Sequence, residues 1–245
     1  MLKNTGYDNV AAFYDEVLGS SNEKIKFVSE KIAEYNSSAI SVFELGCGTG
    51  SNLLFLSGDY KISGVDINEN MLNIARNKIG GSRLFIGDIR EVILKEKTDV
   101  VFCVYDTINH LLLFNDWKKV FRNAFNSLNN NGLFIFDFNT LYKLFLISGI
   151  SPVVNNFGNS YLIADVKKIS LNVFNWNLKV FEHIESDDFR LHETNIKEAS
   201  FEINKIFKAL RKYFRILETA DEYGNRVNKR SERVFVICRK LNKKI

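Results

Sequence analysis

The 245-residue sequence contains one proline, Pro152, and three cysteines, Cys47, Cys103 and Cys238, which lie far apart in apolar or glycine-rich settings. No CxxC pair occurs, so neither a disulfide framework nor a thiolate zinc site is indicated, and no other metal-ligand cluster stands out. Long hydrophobic runs are also missing. The longest apolar stretch, Leu141–Val154, is interrupted by Lys143, Gly149 and Pro152 and cannot span a bilayer. The first residues, Met1–Val17, lack a basic start followed by an apolar run, which argues against a signal peptide. A reducing, cytoplasmic setting is the resulting expectation. The formal net charge of +4 is too small to imply a polyanionic partner by itself.

Hydrophobic residues make up 46% and charged residues 25%, enough to build a real core, so disorder is not the default. This length fits one large domain, or one domain carrying a sizeable insertion. Charge is unevenly placed. Lys197–Ile245 holds 14 Lys+Arg against 6 Asp+Glu, a local excess of eight positive charges that leaves the remainder at −4. Such asymmetry fits either a nucleic-acid surface or a solvated helix face and lysine-rich sheet edge. No aromatic platform is interleaved with these charges, which favours the second reading.

Apolar spacing switches repeatedly between short runs and helical periods. Asp8–Leu18 and Glu23–Tyr35 read as amphipathic helices. Ala39–Leu45, Tyr60–Val65, Arg83–Ile86, Asp99–Val104 and Leu133–Phe138 read as strands. Helices are expected at Ser51–Ser57, Glu69–Asn77 and Asp116–Leu128, the last closed by an Asn129–Gly132 turn. Strand–helix alternation of this kind implies a doubly wound α/β fold with a mostly parallel sheet. The pattern then changes. Tyr161–Ile169, Asn172–Ile184 and Phe189–Ile196 alternate with period two, as in an antiparallel β meander. Helical spacing returns at Phe201–Tyr213, and Phe214–Thr219 with Val234–Arg239 forms a final strand pair. Residues 1–150 and 200–245 are thus expected to form one domain, of seven strands, with an inserted antiparallel subdomain at 151–199. Phe174, Trp176 and Phe181 suit either the core of that insertion or a substrate cover.

The strongest chemical signal is Glu44-Leu45-Gly46-Cys47-Gly48-Thr49-Gly50, between the first strand and its helix. Alternating glycines allow a tight turn and close approach of a ligand to backbone. Ligands of open α/β sheets bind at this strand edge. Dinucleotide sites also use a glycine loop, but G-x-G-x-x-G would need glycine where Ser51 stands. Glu44 separates the two readings further. A pyrophosphate is drawn to the positive end of a helix, and a carboxylate just before the loop would repel it. A sulfonium methyl donor with an α-ammonium group would be attracted instead. Asp66 and Asp88 follow the second and third strands. Asp66 could accept both ribose hydroxyls and Asp88 an adenine amine, with Met71 packing on the adenine; either aspartate could equally be a helix N-cap.

Together, Glu44–Gly50, Asp66, Gly87-Asp88 and the strand Asp99–Val104 resemble the class I S-adenosylmethionine-dependent methyltransferases. Tyr7-Asp8, Ala11, Tyr14-Asp15 and Tyr105–Leu111 resemble its small-molecule branch, which includes amino-sugar N,N-dimethyltransferases and glycine N-methyltransferase-like enzymes. The resemblance covers residues 7–140 well and the final strand pair loosely. It implies S-adenosylmethionine as cofactor, held by Tyr7, Tyr14, Glu44, Gly46, Cys47, Gly48, Asp66, Ile67, Met71, Asp88, Ile89, Val104 and Asn109. The implied acceptor is a small molecule; a membrane partner is not expected, nucleic acid is disfavoured, and the oligomeric state is open. No Asp/Asn-Pro-Pro-Tyr/Phe motif follows the fourth strand and no Pro-Cys nucleophile is present, which disfavours methylation of bases in nucleic acid.

Aligning an acceptor with an activated methyl group contributes roughly 7–11 kcal/mol of barrier lowering in favourable cases. An amine or hydroxyl must also lose a proton. His110, just beyond the fourth strand, is the expected base, or else a structural histidine. Tyr14 caps the donor's carboxylate, contacts the acceptor or packs its helix. Asp106 steers a cationic amine or caps the following turn. Rival readings are a methyltransferase acting on RNA or protein, a non-catalytic donor-binding module and, less well supported, a dinucleotide oxidoreductase.

Overall fold

A computed structural model describes residues 22–80 and 83–242; the expected helix at Asp8–Leu18, with Tyr7 and Tyr14, lies outside them. The element order begins α1 (Asn22–Tyr35), β1 (Ser41–Leu45), α2 (Ser51–Leu56), β2 (Lys61–Asp66), α3 (Glu69–Ile79), β3 (Arg83–Ile86) and β4 (Thr98–Cys103). A 3-10 turn at Thr107–His110 leads to α4 (Phe114–Ser127), β5 (Leu128–Asn139) and α5 (Leu141–Ile150). Four strands follow, β6 (Val153–Phe157), β7 (Ser160–Lys168), β8 (Val173–His183) and β9 (Phe189–Ala199). The chain closes with α6 (Ile203–Leu210), β10 (Phe214–Asp221) and β11 (Arg233–Lys240).

Seven strands form one sheet in the order β10-β11-β5-β4-β1-β2-β3. β1 to β5 run parallel, and β11 pairs antiparallel with both β5 and β10. Both faces are covered, which is why β4 reads as nearly continuous apolar sequence. On one face Val101, Phe134, Phe136 and Phe138 meet Trp117, Val120, Phe121 and Ala124 of α4, a helical i, i+3, i+4, i+7 stripe. On the other, Val100, Phe102 and Ile135 meet Ile25, Val28 and Ile32 of α1. The stripe of Phe134, Phe136 and Phe138 stacks along β5, with successive ring centroids 5.0 and 6.0 Å apart.

The β4–β5 junction departs from the sequence expectation. No turn separates α4 from β5; the strand starts at Leu128, and its register slips between Thr98↔Leu128 and Val100↔Leu133. Asn131 takes φ 62° within the resulting bulge, and Asn129 Nδ2 donates to Asp99 Oδ1 at 2.8 Å. The asparagine run is therefore a bulge held to its neighbouring strand.

The insertion after β5 contains α5 and a four-stranded antiparallel sheet in the order β6-β7-β8-β9, one strand more than the alternation indicated. β6 reads Val-Val-Asn-Asn-Phe, whose mostly exposed residues break period two. α5 carries apolar residues around most of its circumference, Lys143 apart, yet buries fully only Leu144, so its sequence carries no clear helical period. In the sheet, Leu162, Ala164, Leu178, Val180 and Ile196 form one buried face. Val166 and Phe174 extend it to Leu144 of α5, while Ile184 lies beyond β8 and is exposed. The opposite face is polar, with Asn177 Nδ2 donating to Glu193 Oε1 at 2.7 Å. Among the described residues no helix is long and apolar enough to cross a membrane.

Candidate functional site

Gly46, Gly48 and Gly50 have φ of 77°, 51° and 77°, all in the left-handed region that favours glycine. Two of them also face tight packing. A Cβ on Gly46 would collide with Thr107 Cγ2, and one on Gly50 would lie 2.9 Å from Ala75 Cβ of α3. Gly48 is different: a Cβ there would meet nothing within 4 Å among the described residues, so this glycine borders an open cradle in them. The loop is fastened to the end of β2, since the Gly46 and Cys47 amides both donate to the Val65 carbonyl, at 2.8 and 3.0 Å. Cys47 is buried, and burial together with Glu44 and Asp66 pushes its thiol up, so it packs as a neutral side chain.

Asp66 ties loop to helix. Its Oδ2 accepts from the Gly48 amide at 2.8 Å and its Oδ1 from the Asn68 amide at 2.8 Å. Burial raises its pKa in spite of these bonds and the field of His110. Asn68, rather than Asp66, caps α3 by accepting from the Met71 amide. Met71 is buried and Ile67 half-buried beside this turn.

Glu44 lies behind the loop with only 1% of its surface exposed. Asn52 Nδ2 donates to its Oε1 at 2.7 Å. Its other oxygen, Oε2, is buried with no hydrogen-bond partner among the described residues. Burial raises the carboxyl pKa to about 8, with Asp66 adding to the shift and Asn52 opposing it. A buried carboxylate oxygen without a partner costs several kcal/mol, roughly, when charged, unless a cation approaches it. Beside the cradle at Gly48, this donor set fits the α-ammonium of an amino acid.

Asp88, after β3, is already engaged. Arg90 Nε donates to both of its oxygens, at 2.9 and 2.8 Å, and Arg90 Nη1 reaches Asp116 Oδ2 at 3.1 Å. Burial would raise the Asp88 pKa, but Arg90 holds it below the usual range. Any adenine amine meeting Asp88 would share it with a guanidinium. Ile89 is buried next to it, and its carbonyl accepts from Asn123 Nδ2.

At the end of β4 two successive non-glycine residues, Tyr105 and Asp106, adopt φ of 58° and 53°. Their amides both donate to the fully buried Asp137 carboxylate on β5, at 3.2 and 2.7 Å. Arg233, at the start of β11, closes the cluster with Nη2 2.5 Å from Asp106 Oδ1 and Nη1 3.0 Å from Asp137 Oδ1. Burial pushes the Asp106 carboxyl up, but Arg233, Lys143 and His110 hold it below the usual range. Its charge is therefore matched by Arg233, not left to attract an amine. The Val104 carbonyl accepts from Thr107 Oγ1 at 2.9 Å, and the Val104 side chain is core.

His110 ends the 3-10 turn and faces β9, where the Lys197 carbonyl accepts from it. Burial lowers its pKa further than Asp106, that carbonyl and Asp66 raise it, so the ring is neutral at pH 7. Asn109 requires a correction. Its Nδ2 donates to the carbonyls of Asn139 and Ala199 at 3.0 and 2.9 Å, and its Oδ1 accepts from the Asn139 amide at 2.9 Å. With no surface exposed, it fastens the turn to β5 and β9 and has no group left for a cofactor. Sequence reasoning missed Asp137, Glu198, Lys143, Lys24 and Arg233, which the fold brings together from distant segments.

Comparison with known proteins agrees with this geometry. Residues 42–132 match the family described as "Methyltransferase domain". A putative methyltransferase of Geobacillus sp. (strain WCH70) is 26% identical over 245 aligned residues, covering 96% of this chain and 99% of the relative. The dTDP-4-amino-2,3,4,6-tetradeoxy-D-glucose N,N-dimethyltransferase of Saccharopolyspora spinosa is 28% identical over 118 residues, covering 48% of this chain and 46% of that one. The solved structure of an S-adenosylmethionine-dependent methyltransferase from Clostridium acetobutylicum ATCC 824 superimposes with a TM-score of 0.85 at 25% identity, covering 96% of this chain and 98% of that one. The family match spans the glycine loop with both flanking carboxylates, and the structural match continues through the insertion to the last strand pair. Residues 42–132 thus match a methyltransferase domain, and the chain as a whole is similar in fold to an S-adenosylmethionine-dependent methyltransferase.

Proposed function

We propose that this enzyme transfers a methyl group from S-adenosylmethionine to a nitrogen or oxygen of a small-molecule acceptor, in the cytoplasm. The observation that carries the donor half is Glu44 Oε2, buried without a hydrogen-bond partner among the described residues, behind the cradle at Gly48. When bound, S-adenosylmethionine supplies a methyl group on a positively charged sulfur. Glu44 binds the α-ammonium, and the backbone at Gly46–Gly48 lies against the amino-acid part. Asp66 keeps lone pairs for the ribose hydroxyls after accepting from two amides. Ile67, Met71 and Ile89 wall the adenine, with Asp88 at its edge. Tyr7 and Tyr14 contribute from the N-terminal segment.

Residues 1–150 and 200–245 form the donor-binding domain in this account, and residues 151–199 cover the acceptor. A neutral His110 is in the right state to take a proton from an ammonium or hydroxyl as methyl transfer proceeds. The partial match to an amino-sugar N,N-dimethyltransferase supports an amine as acceptor. Incubating a metabolite extract with isotope-labelled donor and searching for a compound that gains the labelled methyl tests the proposal. A labelled small amine or alcohol is expected; label found only in protein or RNA would overturn it.

A further inference from the structure

Three cations converge where β4, β5 and β11 meet: Arg233, Lys143 in the first turn of α5, and Lys24 in the first turn of α1. Arg233 is matched by Asp106 and Asp137. The two lysines are not. Lys143 Nζ donates to Asn139 Oδ1 at 3.0 Å, and Lys24 Nζ stands 4.3 Å from the centroid of the Tyr105 ring. Neither ammonium forms an ion pair with a carboxylate among the described residues.

Glu198 on β9 is the remaining acid of the cluster, and it does not neutralise Lys143. The Asn139 amide stands between them, its Nδ2 donating to Glu198 Oε2 at 3.1 Å. Burial first, and then Asp106, raise the Glu198 pKa to about 8, so at neutral pH the carboxyl is mostly uncharged. Burial likewise lowers both lysines and the charge of Arg233 lowers them further, outweighing the opposing fields of Asp106 and Asp137. Half-buried ammonium groups with incomplete partners are costly, and an arriving anion would offset that cost.

Position says which half of the reaction such an anion belongs to. The sheet order β5-β4-β1 puts Lys143 and Arg233 on the far side of β4 from the glycine loop. His110 and Asn109 stand beside this cluster, at the seam with the inserted sheet. We propose that Lys24 and Lys143, flanking Arg233, form a subsite for an oxyanion, a carboxylate or phosphate, carried by the acceptor. The acceptor is then a small amine or alcohol that also bears an acidic group. This inference rests on the methyltransferase reading and narrows its substrate class.

The test titrates inorganic phosphate, at constant ionic strength set with chloride, into protein saturated with S-adenosylhomocysteine. Binding of S-adenosylhomocysteine itself checks the underlying reading separately. Phosphate is expected to bind the loaded wild-type protein, and Lys24→Met and Lys143→Met each to weaken it by about tenfold or more, about 1.4 kcal/mol. Both variants are expected to keep their S-adenosylhomocysteine affinity within about threefold. Lys143→Arg is expected to restore phosphate binding. Lys24 belongs to α1 and Lys143 to α5, so the Lys24 variant reports even if Lys143→Met fails to fold. No phosphate binding to the loaded wild type, or equal binding by the variants, overturns the subsite. Competition between phosphate and S-adenosylhomocysteine, with both variants losing the latter, would assign the lysines to the donor's carboxylate and overturn it too.

Discussion

Glu44 concentrates the energetic argument in one side chain. Its pKa rises from 4.5 in the unfolded chain to about 8 in the folded protein. The folded state therefore holds this proton more tightly than the unfolded state does. The associated stability is fully present below about pH 4.5 and is lost as pH climbs through about 8. An α-ammonium beside Oε2 reverses that loss. The rise in Tm produced by S-adenosylhomocysteine should consequently grow between about pH 5 and pH 8. In Glu44→Gln the rise should be flat with pH, and affinity should fall by about tenfold or more, since a buried charge partner is gone. A pH-independent rise in wild type would show that Glu44 does not meet the ammonium.

The glycines separate packing from binding at the same scale. Gly46→Ala should lower stability by roughly 2 kcal/mol or more, from left-handed strain plus collision with Thr107. Thr107→Ser removes the colliding methyl and keeps the hydroxyl, so in the double variant part of that loss should return. Gly48→Ala meets no neighbour among the described residues and should cost only about 1–2 kcal/mol in folding while impairing S-adenosylhomocysteine binding. Denaturant unfolding and calorimetry on the three variants give both quantities. The glycine loop was readable in the sequence because its parts are contiguous. Arg233, Lys143 and Glu198 were not, because each reads locally as an ordinary solvated charge and gains its meaning from neighbours far along the chain.

Elements were legible where burial imposes a period. β4, buried on both faces, and α4, with one apolar stripe, fell close to their expected bounds. β6 and α5 escaped because one carries polar residues at mostly exposed positions and the other, Lys143 apart, spreads its apolar residues around the helix. The joint between sheet and insertion was invisible too, since it depends on Asn109 bonding to Asn139 and Ala199. Asn109→Ala removes three buried hydrogen bonds. Although Ser200 Oγ still donates to the Asn139 carbonyl, the Asn139 amide and the Ala199 carbonyl lose their Asn109 partner, so a loss of roughly 2–3 kcal/mol is expected. Hydrogen exchange should speed up first in β9 and the 3-10 turn, before β1 and β4. Uniform acceleration across the sheet would mean that Asn109 does not act as a joint.

Across the whole molecule, the basic excess at the C-terminal end does not form one continuous face. Arg233 and Lys240 are buried, the latter donating to the Leu128 carbonyl at 2.6 Å, and Arg239 Nη2 donates to the Tyr35 carbonyl. Part of that charge is therefore spent inside the fold. Turnover of a small acceptor should change by less than about tenfold between 50 and 200 mM salt, whereas a nucleic-acid acceptor making several phosphate contacts would lose roughly 10³-fold in affinity or more. Steady-state rates at the two salt concentrations distinguish them.

A buried carboxylate, Glu44, makes the glycine loop prefer a cation to a phosphate. Calorimetry with S-adenosylhomocysteine and with NAD, each in two buffers of different ionisation enthalpy near pH 7, addresses it directly. The account predicts uptake of S-adenosylhomocysteine with proton release, as Glu44 ionises against the ammonium, and little uptake of NAD. Tight binding of NAD with none of S-adenosylhomocysteine would contradict it.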